Sequence, residues 1–207
     1  SYAELDAAIG RFAAGLLALG LERGERVAIY LDKRPETVTA FFGTSAAGGV
    51  FVPVNPILKA EQVGYILQDC NVRVLVTSPE RFATLRDTLA GCHDLRHVVL
   101  TGKVDTLPDL PGASVVRWDE LCAAPPATGH RIIDTDMAAI LYTSGSTGRP
   151  KGVVLSHRNM VAGGKSVAQY LENNAGDTLL AALPLSFDAG FSQLTTAFHS
   201  GARVVLL

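Results

Sequence analysis

The chain has 207 residues, with 18 Lys plus Arg against 20 Asp plus Glu and a net charge of −2. That balance argues against a nucleic-acid-binding arm or a polybasic membrane anchor. The mean hydropathy of +0.24, with 48 % hydrophobic residues, excludes a disordered chain and supplies the apolar surface of a layered α/β core.

The chain opens on Ser1 and Glu4, an S-x-x-E capping box. Leu5, Ile9, Phe12, Leu16 and Leu19 follow at helical spacing, and Gly20 closes that helix. Residues 26–31 read as a strand. Residues 37–58 carry no charged side chain, which raises the question of a membrane span. Gly43, Gly48, Gly49, Pro53 and Pro56 interrupt the stretch. It is therefore expected to be a buried helix (35–47), a Gly-Gly turn and a buried strand (50–54). A helix near 59–69 and a strand at 72–76 come next. Ser78-Pro79-Glu80 combines a cap, a first-turn proline and an acid, predicting a helix to about residue 90. Residues 97–100 form the next strand.

This β-α-β rhythm predicts a largely parallel sheet layered with helices. Residues 1–100 are expected to form a first α/β segment. Residues 101–136 hold Pro108, Pro111, Pro125 and Pro126. They read as a connector with a strand at 114–118 and a helical turn near Asp119–Cys122. Residues 137–207 resume the alternation, with strands at 138–143 and 152–155, a helix at 157–171, a strand at 178–183, a helix at 190–200 and a strand at 202–207. Cys70, Cys92 and Cys122 are odd in number, widely spaced and lack a C-x-x-C pair, so neither a disulfide scaffold nor a metal site is expected. No secretory leader is read at the start, and a reducing, cytoplasmic setting fits.

The chemistry concentrates in Tyr142-Thr-Ser-Gly-Ser-Thr-Gly-Arg-Pro-Lys-Gly152, between two apolar strands. Gly145 and Gly148 let the backbone approach a ligand closely. Thr143, Ser144, Ser146 and Thr147 offer hydroxyl donors, and Lys151 supplies a cation. Such a loop suits a polyanion, most naturally nucleotide phosphates. A flexible Gly/Ser hairpin without ligand is the bland alternative. The loop is not a Walker A sequence, because Pro150 and Gly152 stand where that motif needs Gly and a hydroxyl. It also lacks the G-x-G-x-x-G fingerprint of a nicotinamide-dependent enzyme.

The order T-S-G-S-T-G-x-P-K-G resembles the phosphate-binding signature of the adenylate-forming enzymes: acyl- and aryl-CoA ligases, luciferases and peptide-synthetase adenylation domains. Ser156-His157-Arg158-Asn159, residues 2–20, Gly49-Val-Phe-Val-Pro-Val-Asn-Pro56 and residues 178–207 resemble other parts of that family. The resemblance implies a carboxylate attacking the α-phosphate of Mg-ATP, then transfer of the acyl group to a thiol such as CoA or phosphopantetheine. It implies that Thr143, Ser144, Gly145, Ser146, Thr147 and Gly148 hold the β- and γ-phosphates, with Lys151 assisting or anchoring the loop. Phe187 matches an aromatic that lines the acyl pocket. Asp188 matches the F-D of peptide-synthetase domains, where the Asp pairs with a substrate ammonium. As a residue, Asp188 equally suits the N-cap of a helix starting near Ala189. His157 reads as a first-turn residue after an N-cap Ser156.

The chain has no Y-G-x-T-E segment and no T-G-D ribose motif. Gly176-Asp177 fits the approach to the next strand instead. The resemblance therefore implies the N-terminal portion of an AMP-binding domain, without the C-terminal lid, with the main Mg²⁺ ligand elsewhere and no catalytic residue assigned within 1–207. Such a piece is expected to be inactive alone. Amino-acid activation and a non-catalytic interaction module, self-associating through the strand edge at 202–207, are the alternatives.

Overall fold

The computed structural model describes residues 1–143 and 149–207. It divides into two compact units, Ser1–Ile132 and Ile133–Leu207.

The first unit runs α1 (Tyr2–Ala18), β1 (Arg26–Tyr30), α2 (Pro35–Ala46), β2 (Val50–Pro53), α3 (Ala60–Asp69), β3 (Val72–Thr77), α4 (Pro79–Leu89), β4 (His97–Leu100), β5 (Ser114–Arg117) and α5 (Trp118–Cys122). Its strands lie in the order β5-β4-β3-β1-β2, and every neighbouring pair is parallel. The expected parallel α/β layering is therefore present. Val27, Ala28, Val52, Leu75, Val76, Val98 and Val99 are fully buried, as strands covered on both faces require.

Local chemistry accounts for the element ends. The Glu4 amide donates to Ser1 Oγ, completing the capping box of α1. Ser78 Oγ accepts from the Arg81 amide at the start of α4, with Pro79 in the first turn. Gly48 has φ +86°, so the turn from α2 into β2 uses a left-handed residue that a side chain would strain. The apolar stretch 37–58 is a helix, that turn and a strand. Among the described residues no helix is long and apolar enough to cross a membrane.

The strand order reverses at β1, so the carboxyl ends of β1 and β3 flank a topological switch point, where open α/β sheets commonly bind ligands. Side chains of the protein bond to one another at that end of the two strands. Thr77 Oγ1 donates to the Tyr30 carbonyl at 3.0 Å. The Arg81 guanidinium stacks 4.6 Å above the Tyr30 ring and bonds Asp32 Oδ1 and the Pro56 carbonyl. At the opposite edge the buried Glu25 carboxylate is paired with Arg73 and Arg96, which offsets its desolvation.

The second unit runs β6 (Met137–Thr143), β7 (Lys151–Ser156), α6 (His157–Tyr170), β8 (Thr178–Ala181), α7 (Asp188–Ser200) and β9 (Arg203–Leu206). β6 and β7 are antiparallel, a departure from the parallel pattern set by the short connection between them. β8 and β9 are parallel, joined through α7, and α6 packs on α7. Two bounds differ from expectation by more than one residue. β8 ends at Ala181 because the next backbone donors turn away from β9: the Ala182 amide donates to the Leu180 carbonyl, the Leu183 amide donates to Gln193 Oε1, and Pro184 has no N–H. α7 begins at Asp188, not 190, because the extended Phe187 already provides its entry.

Candidate functional site

β6 is buried from Ala138 to Tyr142, whereas β7 is mostly exposed. Their register pairs Thr143 with Lys151 at the end of the ladder, and Tyr142 with Gly152 one step before it. The two strands thus bring a hydroxyl and an ammonium, both exposed, to the two ends of segment 144–150. Ser144, Gly145, Ser146, Thr147 and Gly148 lie outside the described residues.

Gly152 explains how the base of this segment is built. A Cβ there would stand 2.7 Å from Ile140 Cγ2 and 3.3–3.4 Å from the Tyr142 ring. The ring packs across the strand onto bare backbone, an arrangement that pins register in an antiparallel pair. The sequence motif contains both residues, but only the pairing shows why the last glycine is needed.

Beyond β7, the S-H-R-N stretch is a cap. Ser156 Oγ accepts from the Asn159 amide, and Asn159 Oδ1 accepts from the Ser156 amide. His157 is the first residue of α6, its amide donating to the Asp136 carbonyl. Arg158 pairs with Asp134.

Phe187 and Asp188 stand together at the start of α7, both exposed, Phe187 at 43 %. The alternative of Asp188 as N-cap is corrected by the structure. Phe187 occupies the cap position without a side-chain cap bond, and Asp188 is the first helical residue. Asp188 still suits the positive end of the helix dipole. Among the described residues no hydrogen bond or ion pair engages its carboxylate. It lines a cleft of about 70 Å³ between α6 and α7, together with Asn159, Met160, Gly163, Ser192 and Thr195. Gly164 permits this packing: a Cβ would stand 3.1 Å from the Thr195 carbonyl oxygen.

Sequence reasoning missed Gln193. Its Oε1 accepts from the Leu183 amide at 3.2 Å, and its Nε2 donates to the Leu180 carbonyl at 3.0 Å. No signal in the sequence sets it apart from any polar residue on a helix.

A larger cavity of about 430 Å³ lies among α1, α2 and α5 in the first unit, lined by Arg11, Glu36, Thr39, Trp118, Asp119 and Cys122 among others. It offers little chemistry. Burial pushes the Cys122 thiol up to about 11, so it is protonated and unreactive at neutral pH. The Arg34 guanidinium holds Glu36 below the usual carboxylate range and bonds both its oxygens. Among the described residues no three His, Cys, Asp or Glu side chains converge on a metal position.

The AMP-binding enzyme family model matches residues 1–207. The chain belongs to the AMP-binding enzyme family. Within it, a crotonobetaine/carnitine–CoA ligase of Salmonella paratyphi A is 35 % identical over 212 residues, covering 100 % of this chain and 40 % of that protein. ATP-bound MatB from Rhodopseudomonas palustris superposes with a TM-score of 0.82 at 28 % identity, over 100 % of this chain and 39 % of MatB. The anthranilate CoA ligase AuaEII, solved with anthranoyl-AMP, gives 0.86 at 26 % identity, over 97 % of this chain and 39 % of AuaEII. The chain thus spans about two fifths of the length of these AMP-binding relatives.

Proposed function

We propose that the protein carrying this chain is an ATP-dependent, AMP-forming acid–thiol ligase. The observation that carries the reading is the family match over all 207 residues, with the Thr143–Lys151 pair flanking the hydroxyl- and glycine-rich segment. A substrate carboxylate oxygen attacks the α-phosphorus of ATP, and the bond to pyrophosphate breaks. The thiol of CoA or of a phosphopantetheine arm then attacks the acyl carbon, and AMP leaves. Negative charge grows on the leaving pyrophosphate, so fixed donors and a nearby cation lower the barrier. Thr143, Ser144, Ser146, Thr147 and the amides of Gly145 and Gly148 are assigned to the β- and γ-phosphates, and Lys151 to the cation. Mg²⁺ bound with the phosphates would supply further charge neutralisation. We place the reaction in a reducing compartment, the cytoplasm.

Phe187 and Asp188 are assigned to the carboxylate substrate. Asp188 favours a second, narrower reading, in which the substrate carries an ammonium or quaternary ammonium group. An exposed carboxylate with no partner among the described residues, beside an exposed aromatic, suits a cation. Carnitine, for which the Salmonella relative is named, is a carboxylate with a fixed positive charge.

Carboxylate-dependent ATP–pyrophosphate exchange by the intact protein tests the reading. Thr147→Ala with Gly148→Ala should abolish exchange, and wild-type ATP affinity and turnover in that variant would refute the phosphate assignment. Asp188→Asn should lose cationic acids at least tenfold relative to neutral ones, since a charge-assisted contact contributes about 1.5–3 kcal/mol. Equal loss for both classes would reject the cationic substrate.

A further inference from the structure

Six residues, 182–187, connect β8 to α7 and carry Phe187 and Asp188 to their place. Three contacts define that turn. Gln193, in the second turn of α7, reaches back with both ends of its amide, accepting from Leu183 N–H and donating to Leu180 C=O. Gly190 receives the turn directly: a Cβ there would stand 1.9 Å from the Pro184 carbonyl oxygen and 3.1 Å from that of Leu183. The Phe187 amide closes the turn by donating to the same Pro184 carbonyl at 3.3 Å. Beneath, Leu185 is buried, and so is the Ser186 hydroxyl, which finds no hydrogen-bond partner among the described residues.

The turn therefore has an apolar underside and a bare-backbone seat, but its outer edge depends on Gln193. Leu183 and Leu180 are both about half exposed, so water can satisfy their backbone groups when the side chain is removed. Loss of the bracket costs the fold little while freeing the segment that presents Phe187 and Asp188. A side chain with this geometry positions the site more than it stabilises the molecule.

Resting on the ligase reading, we propose that Gln193 is a positioning residue for the carboxylate substrate, holding the 182–187 turn so that Phe187 and Asp188 face the acid in one arrangement. Gln193→Met keeps the length and removes both hydrogen bonds. Gln193→Glu keeps the acceptor toward Leu183 and sets a carboxylate against the Leu180 carbonyl. In the intact protein, Gln193→Met should raise KM for the carboxylate about tenfold or more, because misplacement of about 1 Å costs up to about a hundredfold. KM for ATP should stay within about twofold, and the urea midpoint near wild type. Gln193→Glu should leave amide exchange at Leu183 at the wild-type rate and show an intermediate KM. Amide hydrogen exchange at Leu183 should quicken in Gln193→Met, a measurement that needs no activity.

Unchanged exchange at Leu183 in Gln193→Met overturns the bracket itself. Faster exchange with an unchanged carboxylate KM overturns the positioning role. Parallel rises in both KM values, with a lowered midpoint, mark a merely structural residue and equally refute it. Absence of exchange activity in the wild type with every acid refutes the ligase reading and this role with it. The amide-exchange result then still reports whether the bracket exists.

Discussion

Replacing Gly152 by Ala tests whether the base of the candidate phosphate segment is built as described. The added Cβ would meet Ile140 Cγ2 at 2.7 Å, with two Tyr142 ring atoms at 3.3–3.4 Å. Carbon atoms pack best at about 3.5–4.0 Å, so the overlap with Ile140 is about 1 Å. Ile140 and Tyr142 are both buried within β6, so neither can swing into solvent. The strain falls on the separation of β6 and β7, and the expected cost is about 1–3 kcal/mol. Gly163→Ala is the matched control in the same unit. It adds the same atom on α6, where nothing lies within 4 Å, and should stabilise by about 0.5–1 kcal/mol through helix propensity. Urea unfolding of both variants measures the two changes. The two variants should shift stability in opposite directions, and a Gly152→Ala loss below about 0.5 kcal/mol would refute the close packing of Ile140 and Tyr142 on Gly152.

A double-mutant cycle tests the packing of α3 on α4. A Cβ at Gly64 would stand 2.3 Å from Thr88 Cγ2 and an ordinary 3.8 Å from Thr88 Cβ. Gly64→Ala alone should destabilise by about 1–3 kcal/mol, whereas in a Thr88→Ser background it should stabilise by about 1 kcal/mol, both read by urea unfolding. Additive effects would disprove the contact. His97 sets a pH dependence. Burial holds its imidazole below the usual 6.5, and Nδ1 lies 2.7 Å from Ser114 Oγ across β4 and β5. The unfolded chain therefore takes up the proton first. The His97 contribution is complete above pH 6.5 and is lost as pH falls from 6.5 through the lowered native value. Stability of the wild type should drop faster below pH 6.5 than that of His97→Gln, and parallel curves would refute it.

Much of the fold is legible in the sequence because its signals are local. Ser1 with Glu4, and Ser78 with Pro79, mark helix starts through bonds formed within one turn. The alternation of short apolar strands and helices announces a parallel sheet. The order β5-β4-β3-β1-β2 is not legible, since nothing local says that β3 pairs on the far side of β1 from β2. The switch-point crevice shows the same limit. Tyr30, Asp32 and Arg81 carry no signal in the sequence and become a contact cluster only when β1 and β3 lie side by side.

The candidate site divides in the same way. The segment from Thr143 to Lys151 is visible because its donors and cation are contiguous, and their chemistry is a property of residue type. The substrate side depends on contacts across the chain. Asp188 could be a cap or a ligand as a residue, and the structure removes the cap because Phe187 takes that position. Gln193 could not be singled out, because its partners lie ten and thirteen residues away and are backbone groups without identity in the sequence. The sequence alone therefore determined most element types, the family and the candidate phosphate segment, through short-range propensity and contiguous chemistry. The tertiary structure decided strand order, the Tyr142–Gly152 packing and the bracket at Gln193, because steric fit and long-range hydrogen bonds exist only once distant segments meet.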